Sequence, residues 1–208
     1  MEKRTTKQRI LDEALDLFAT HGYDGVTVAQ IAHAVKIKTP SLYKHYKSKQ
    51  DIFDAILEEI ADRYKKRAES IKMDGLDAGK DTELFLNISK EQLEAMGTQL
   101  FLFFLHDEFT RKYRRMLTIE QFRNPTASRL YVAQYIDSPI HYQSTLFEAM
   151  MERNNMRRAD ARTAAMHFYS PMFLLLCLCD SSPEREEEAL DFVRRHISQF
   201  TEIYITGE

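Results

Sequence analysis

The residues best equipped for chemistry in this chain are five lysines and two histidines gathered between His33 and Gln50, a window without a single acidic residue. Lys36, Lys38, Lys44, Lys47 and Lys49 can neutralise phosphates, and Ser41, Tyr43 and His45 interleave polar side chains that divide between phosphates and base edges. That is the chemistry of recognition, not of turnover. Residues 1 to 60 carry nine Lys or Arg and nine Asp or Glu, so the cations act through their local concentration rather than through a net charge.

Positioning these side chains requires short, well-capped helices. Thr27 and Gln30 form a T-x-x-Q capping box, after which Val28, Ile31, Ala32 and Val35 fall on one helical face. Lys36-Ile37-Lys38 has the length of a tight turn, with Ile37 as its apolar peg. Thr39 is expected to cap a second helix with Pro40 at its first position, and Leu42 and Tyr46, four apart, to anchor its inner face. Ser48 and Asp51 repeat the capping pattern and open a third helix, whose N-terminus brings Lys49 to the same surface. Upstream, Thr5 and Gln8 cap a helix carrying Ile10, Leu11, Ala14, Leu17 and Phe18, which stops near Gly22. The competing reading, a solvated three-helix packing unit, does not account for the coincidence of successive caps, turn length and acid-free window.

With these residues in view, the first 60 or so positions resemble the tetracycline-repressor (TetR) family of bacterial transcription regulators. The matching residues are Ile10 to Phe18, Gly22-Tyr23, Val26-Thr27, Ile31-Ala32, Ser41-Leu42-Tyr43, His45 to Lys49 and Asp51-Ile52-Phe53. Two positions depart from the family pattern. Lys36 stands where a turn glycine is usual, at a cost on the order of 1 kcal/mol in a left-handed conformation, and Tyr46 replaces phenylalanine. The resemblance implies that Lys38, Thr39, Ser41 and Lys44 lie at the groove, with Pro40 beside them, and that Thr27, Tyr43, His45, Lys47 and Lys49 hold phosphates.

The remainder of the chain sets the architecture. Phe53, Ile56, Leu57, Ile60 and Tyr64 continue a helical stripe, so one long helix over 49–71 is expected to leave the reader, residues 1–48. The glycine-containing stretch 74–81 marks the start of a second domain, 74–208. Breaks at Asn124-Pro125, Ser138-Pro139, Asn154-Asn155 and Ser181 to Pro183 divide it into helices near 82–105, 107–123, 126–136, 139–154, 160–180 and 183–205. The fold class is all-α: a three-helix helix-turn-helix domain joined by a long helix to a helical ligand-binding and dimerisation domain.

Two surfaces of that domain attract functional readings. Leu190, Val193, Ile197, Phe200 and Tyr204 form a coiled-coil-like seam on the last helix, and Ala161, Ala164, Ala165, Phe168 and Met172 line the helix before it. The resemblance implies that these helices pair with their twins in a homodimer; the alternative is that both stripes are satisfied within one chain. Residues 100–173 hold 13 of the 23 aromatic residues and six of the nine methionines. Phe101, Phe104, Tyr113, Met116, Phe122, Tyr131, Tyr135, Phe147, Met150, Met166 and Tyr169 are therefore candidates for a small apolar or aromatic effector, although taken one by one each is better explained as core.

Several functions find no support in the residues. Cys177 and Cys179 fall on nearly opposite helical faces, and His106-Asp107-Glu108 diverge by about 100° per residue, so neither set suits a metal. No nucleophile elbow, phosphate-cradling glycine pair or zinc-type His/Glu pair is present, which predicts no catalytic residues, metal or cofactor. The first 20 residues are interrupted by charge and the longest apolar run, Met172 to Cys179, is too short for a membrane span, so a cytoplasmic protein without membrane contact is expected. The chain is read as a ligand-responsive repressor that binds a palindromic duplex operator as a dimer. A regulator whose second domain only dimerises or docks a protein is the alternative.

Overall fold

The computed structural model describes residues 4–70 and 77–206, which form α-helices joined by short connections. They fall into two compact units: the chain up to Tyr64 together with Glu108–Tyr131, and Lys65–Asp107 together with the chain from Val132 onward.

The first unit is organised on α1 (Thr6–His21), which packs against α2 (Val28–Val35) and α7 (Glu108–Glu120). Thr5 caps α1 by accepting the Gln8 amide at 3.2 Å, and Ile10, Leu11, Ala14, Leu15, Phe18 and Ala19 are buried. Arg9 reaches across to donate to the Val35 carbonyl at 2.6 Å, satisfying an orphan acceptor at the end of α2 with a cation. Then follow α3 (Thr39–Leu42) and α4 (Lys49–Ser70), with Leu42, Tyr46, Ile52, Phe53 and Ile56 buried. The expected end of the long helix at Ile71, and the boundary residues 74–76, lie outside the described residues.

The linear boundary expected at residue 74 is not how the chain partitions, because α7 belongs to the first unit. Its apolar residues Phe109, Tyr113, Met116 and Leu117 follow helical spacing and are all buried, and Lys112 ties it to Asp16 of α1 and Glu108 of its own first turn. Burial opposes the Lys112 charge, but its bonds to Asp16 and Glu108 outweigh that and hold its pKa above the usual lysine value. The same bond holds Glu108 below the usual carboxylate range. Burial pushes the Tyr113 phenol up.

In the second unit the single helix expected over 82–105 is two, α5 (Ala78–Leu86) and α6 (Lys90–His106). Asp77 caps α5 within the stretch expected to be a loop, and Ser89 with Gln92 forms a capping box at the break. Conversely, Ser138-Pro139 does not end a helix: α8 (Pro125–Val132) runs through a π-helical turn, Ala133–Asp137, into α9 (Ser138–Glu152). The carbonyl four residues before Pro139, that of Tyr135, accepts the Tyr169 hydroxyl at 2.8 Å, so the missing proline amide leaves no orphan there. Pro171 lies inside α10 (Ala161–Ser181), where His196 bonds the neighbouring Phe168 carbonyl at 2.8 Å. The chain closes with α11 (Glu186–Tyr204) after a 3-10 turn at Pro183–Arg185.

Two cores fill this unit. Phe147, Met150, Ala164, Ala165 and Phe200 belong to one, Phe101, Leu105, Leu176, Val193 and Ile197 to the other, and Phe168 packs against both. Gly97 permits close approach of α6 and α11, since a Cβ there would meet Ile197 Cδ1 at 2.6 Å. Among the described residues α10 alone is long and apolar enough by composition to cross a membrane; it packs against α9, α11 and α6.

Lys36, which follows α2, adopts φ 62 and ψ 44, with its amide on the His33 carbonyl at 2.9 Å and the Ile37 amide on the Ala32 carbonyl at 3.0 Å. This paired pattern is a Schellman motif with lysine in the left-handed position that glycine prefers. Lys36→Gly is expected to stabilise the chain by about 1 kcal/mol, a rise of about 2–4 °C in Tm by calorimetry; an unchanged or lower Tm would contradict strain at this position.

Candidate nucleic-acid interface

The reader is built from α2, the left-handed turn at Lys36, and α3. Thr27 Oγ1 accepts the Gln30 amide at 3.3 Å while Gln30 Oε1 accepts the Thr27 amide at 2.7 Å, the reciprocal box expected from the sequence. Ile31, Ala32 and Val35 bury one face of α2 and Ile37 lies half-buried in the turn.

The start of α3 differs by one residue from expectation. Lys38 is the extended residue that precedes the helix and has no side-chain cap bond, so Thr39 is the first helical residue rather than the cap and Pro40 the second. Pro40 still falls among the first amides of a helix, where a missing N–H leaves nothing unsatisfied. The helix is one turn long and then tightens, with the His45 amide on the Leu42 carbonyl at 2.8 Å and the Lys44 amide on that of Ser41 at 3.3 Å. Leu42 and Tyr46 are buried beneath it, and burial raises the Tyr46 phenol pKa, with Glu58, Glu59 and Asp12 adding to the effect.

What faces outward is a cationic ridge. Lys36, Lys38, Pro40, Tyr43, Lys44, His45 and Lys47 are exposed, as is Thr27, while Thr39 and Ser41 are half-buried. The ammonium groups of Lys36, Lys38, Lys44 and Lys47 make no hydrogen bond or ion pair among the described residues, leaving their charge available to an external anion. Asp51, the first acid after the window, bonds inward: it accepts the Lys47 amide at 3.0 Å, and its own amide donates to Ser48 Oγ at 3.0 Å.

Lys49 is engaged within the chain. Its Nζ donates to the carbonyls of Tyr23 at 2.8 Å and Val26 at 2.9 Å and stands 4.2 Å from the Tyr23 ring centroid. It is half-buried and fastens the loop between α1 and α2 to the start of α4, helped by the Tyr23 hydroxyl on Gln50 Oε1 at 3.1 Å. Desolvation by burial raises the Tyr23 phenol pKa, keeping it a neutral donor. Nothing in a basic run distinguishes this lysine from its neighbours, because the two carbonyls it meets come from more than twenty residues upstream.

The residues singled out for an effector do not converge. Tyr113 and Met116 are buried in the first unit, Tyr131 is half-buried there, and Phe122 stands 87% exposed. Phe101, Phe147 and Met150 are spent in the two cores, Phe104 packs against one of them, and Met166 is exposed. Tyr135 and Tyr169 come together, both stacked on Phe173 at centroid distances of 5.9 and 6.0 Å, and Tyr169 also packs against the core that holds Phe147 and Met150. An open groove of about 380 Å³ is lined instead by Glu91, Glu94, Ala95, Thr98, Gln99 and Arg194.

Half of the expected dimer seam is buried within the chain. Ala164, Ala165, Val193, Ile197 and Phe200 are buried, and Ala161, Phe168, Met172, Leu190 and Tyr204 half-buried. The apolar side chains that α10 and α11 leave exposed are Met166, Leu174, Phe192 and Ile203, with Leu174 at 68%. Leu174 sits in the apolar run Met172 to Cys179.

A capped α2, a tight turn and an outward cationic α3 define a helix-turn-helix DNA-binding regulator. Residues 10–56 match the tetR family of bacterial regulatory proteins, and residues 91–206 match the C-terminal domain of AefR-like transcriptional repressors. The chain therefore belongs to the TetR family and is a transcription factor rather than an enzyme.

Among curated relatives, the negative regulator IcaR of the Staphylococcus aureus biofilm operon icaADBC is 48% identical over 48 residues. That is 23% of this chain, and the match spans only about a quarter of IcaR (26%). A TetR-family regulator from Mesorhizobium loti is similar in fold, with a TM-score of 0.69 at 18% identity over 97% of both chains. SmeT, the Stenotrophomonas maltophilia repressor of the SmeDEF efflux pump, solved with triclosan, has a TM-score of 0.68 at 18% identity over 98% of this chain and 93% of its own.

Lys49 and Lys47 should separate cleanly by experiment. Lys47→Ala is expected to reduce the slope of log affinity against log salt by about 0.9, whereas Lys49→Met should leave the slope intact and lower stability by about 1–3 kcal/mol. A reduced salt slope for Lys49→Met, with unchanged melting, would return that residue to phosphate contact.

Proposed function

We propose that the protein is a homodimeric repressor that sets α3 of each copy into successive major grooves of a near-palindromic operator, and that a small apolar or aromatic effector releases it. The observation that carries the reading is the ridge of unpaired ammonium groups on Lys36, Lys38, Lys44 and Lys47 around a one-turn helix. Half-sites would lie about 34 Å apart, or a small multiple of that. Lys38, Thr39, Pro40, Ser41 and Lys44 take the groove side, while Thr27, Tyr43, His45 and Lys47 take phosphates.

Dimerisation is assigned to the outward faces of α10 and α11, with Met166, Leu174, Phe192 and Ile203 supplying the apolar contact in place of the seam already buried. One turn of helix reaches few base pairs, so specificity requires two readers on one duplex. Effector binding would change the separation of the two readers, with a coupling of roughly 1–3 kcal/mol.

A second reading is favoured by a specific observation: Phe101, Phe147, Met150, Met151 and Phe200 of the second unit are packed into two cores. On that reading the domain only dimerises or docks a protein. A thermal-shift screen with hydrophobic and aromatic compounds separates the two, since an effector present at about 100 times its Kd stabilises by about 2.7 kcal/mol. No shift across the screen would favour the second.

Two variants test the DNA-binding core of the proposal. Lys44→Ala should change base preference at one or two operator positions, read by selection of bound duplexes; an unaltered preference would remove Lys44 from the groove. Leu174→Glu should shift the sedimentation of the protein to that of a monomer and abolish high-affinity operator binding, and a dimer that survives it would refute the assigned face.

A further inference from the structure

Glu120, the last residue of α7, is 3% exposed, and its Oε2 is buried with no hydrogen-bond partner among the described residues. Its Oε1 packs against Gly22, so closely that a Cβ built on that glycine would fall within the oxygen's contact radius. Gly22 has φ 77 and ψ 160, a conformation that essentially only glycine adopts, and it opens the loop joining α1 to α2. Lys49 and Gln50 hold the same loop from α4, and its far end is Thr27, whose cap begins the reader. The amides of Tyr23, Asp24 and Gly25 donate to no acceptor among the described residues.

A leucine would fill this position without leaving a carboxylate oxygen unpaired, so the acid is retained at a cost to stability. Residues kept at such a cost serve function more often than folding. We infer that Glu120 is a positioning residue for DNA reading: its carboxylate seats the Gly22–Thr27 loop, and Oε2 is the acceptor for a loop amide when the reader docks. The inference rests on the helix-turn-helix reading and adds a determinant on a helix distant in sequence from the motif.

The test uses the full chain and a duplex selected by the wild-type protein. Hydrogen exchange of the Tyr23, Asp24 and Gly25 amides should slow on DNA binding. Glu120→Leu should melt no lower than wild type yet bind the duplex about tenfold more weakly, and Glu120→Gln, which keeps an acceptor, should restore affinity to within about threefold. Opposite movement of stability and affinity is what a merely structural role would not produce. Unprotected loop amides, undiminished affinity of Glu120→Leu, or a parallel fall of melting and affinity in both variants would each overturn the role. A wild-type protein that selects no duplex would instead overturn the DNA reading beneath it.

Discussion

The arrangement of the reader depends on a lysine that turns its charge inward. Two charge-assisted hydrogen bonds from Lys49 Nζ to the Tyr23 and Val26 carbonyls join the start of α4 to the loop between α1 and α2. The loop ends at Thr27, Thr27 caps α2, and α2 runs into the left-handed turn that aims α3. The Tyr23 ring beneath the ammonium, tilted against Phe18 and edge-on to Phe53, turns the same junction into part of the core. The orientation of α3 is thereby set by backbone carbonyls and packed aromatic rings as well as by the turn that precedes it.

How much of this can be read from the sequence depends on the range of the interaction. The caps at Thr5, Thr27 and Ser48 are local hydrogen bonds between residues three apart, and the residue types there announce them. Lys36 in a left-handed turn is legible for the same reason, since the motif length leaves it no other place. Most of the misreadings concern partners distant in sequence. Pro139 looks like a helix end until Tyr169 appears beside the Tyr135 carbonyl, and Lys49 looks like a phosphate ligand until Tyr23 and Val26 are brought to it. The break at Asn87 to Ser89 is an exception, because the Ser89–Gln92 box was there to be read and the apolar residues on either side obscured it.

The seam and the aromatic cluster show why periodicity identifies a buried face but not its partner. Val193, Ile197 and Phe200 recur at helical spacing because α11 must bury a stripe, and that stripe is taken up by α6, α9 and α10 within one chain. A dimer then has to be built from what is left, and what is left is a sparser set, Met166, Leu174, Phe192 and Ile203, mixed with polar and charged residues such as Ser170, Arg195 and Gln199. An interface of that composition resembles the ordinary protein surface more than a domain interior.

Charge imposes the remaining constraint. The whole chain has a formal net charge of −3, so at long range it does not attract a polyanion. Salt limits the reach of any exposed charge to about 8–10 Å, which makes the local ridge rather than the total decisive once α3 is near the duplex. Within that reach, Lys36, Lys38, Lys44 and Lys47 act together, and the first acid after them, Asp51, is bound to the Lys47 and Ser48 groups at the α4 cap. An acid turned outward there would cancel part of the ridge without altering a single base contact. The bonding of the Asp51 carboxylate at the helix cap therefore complements the outward placement of the lysines.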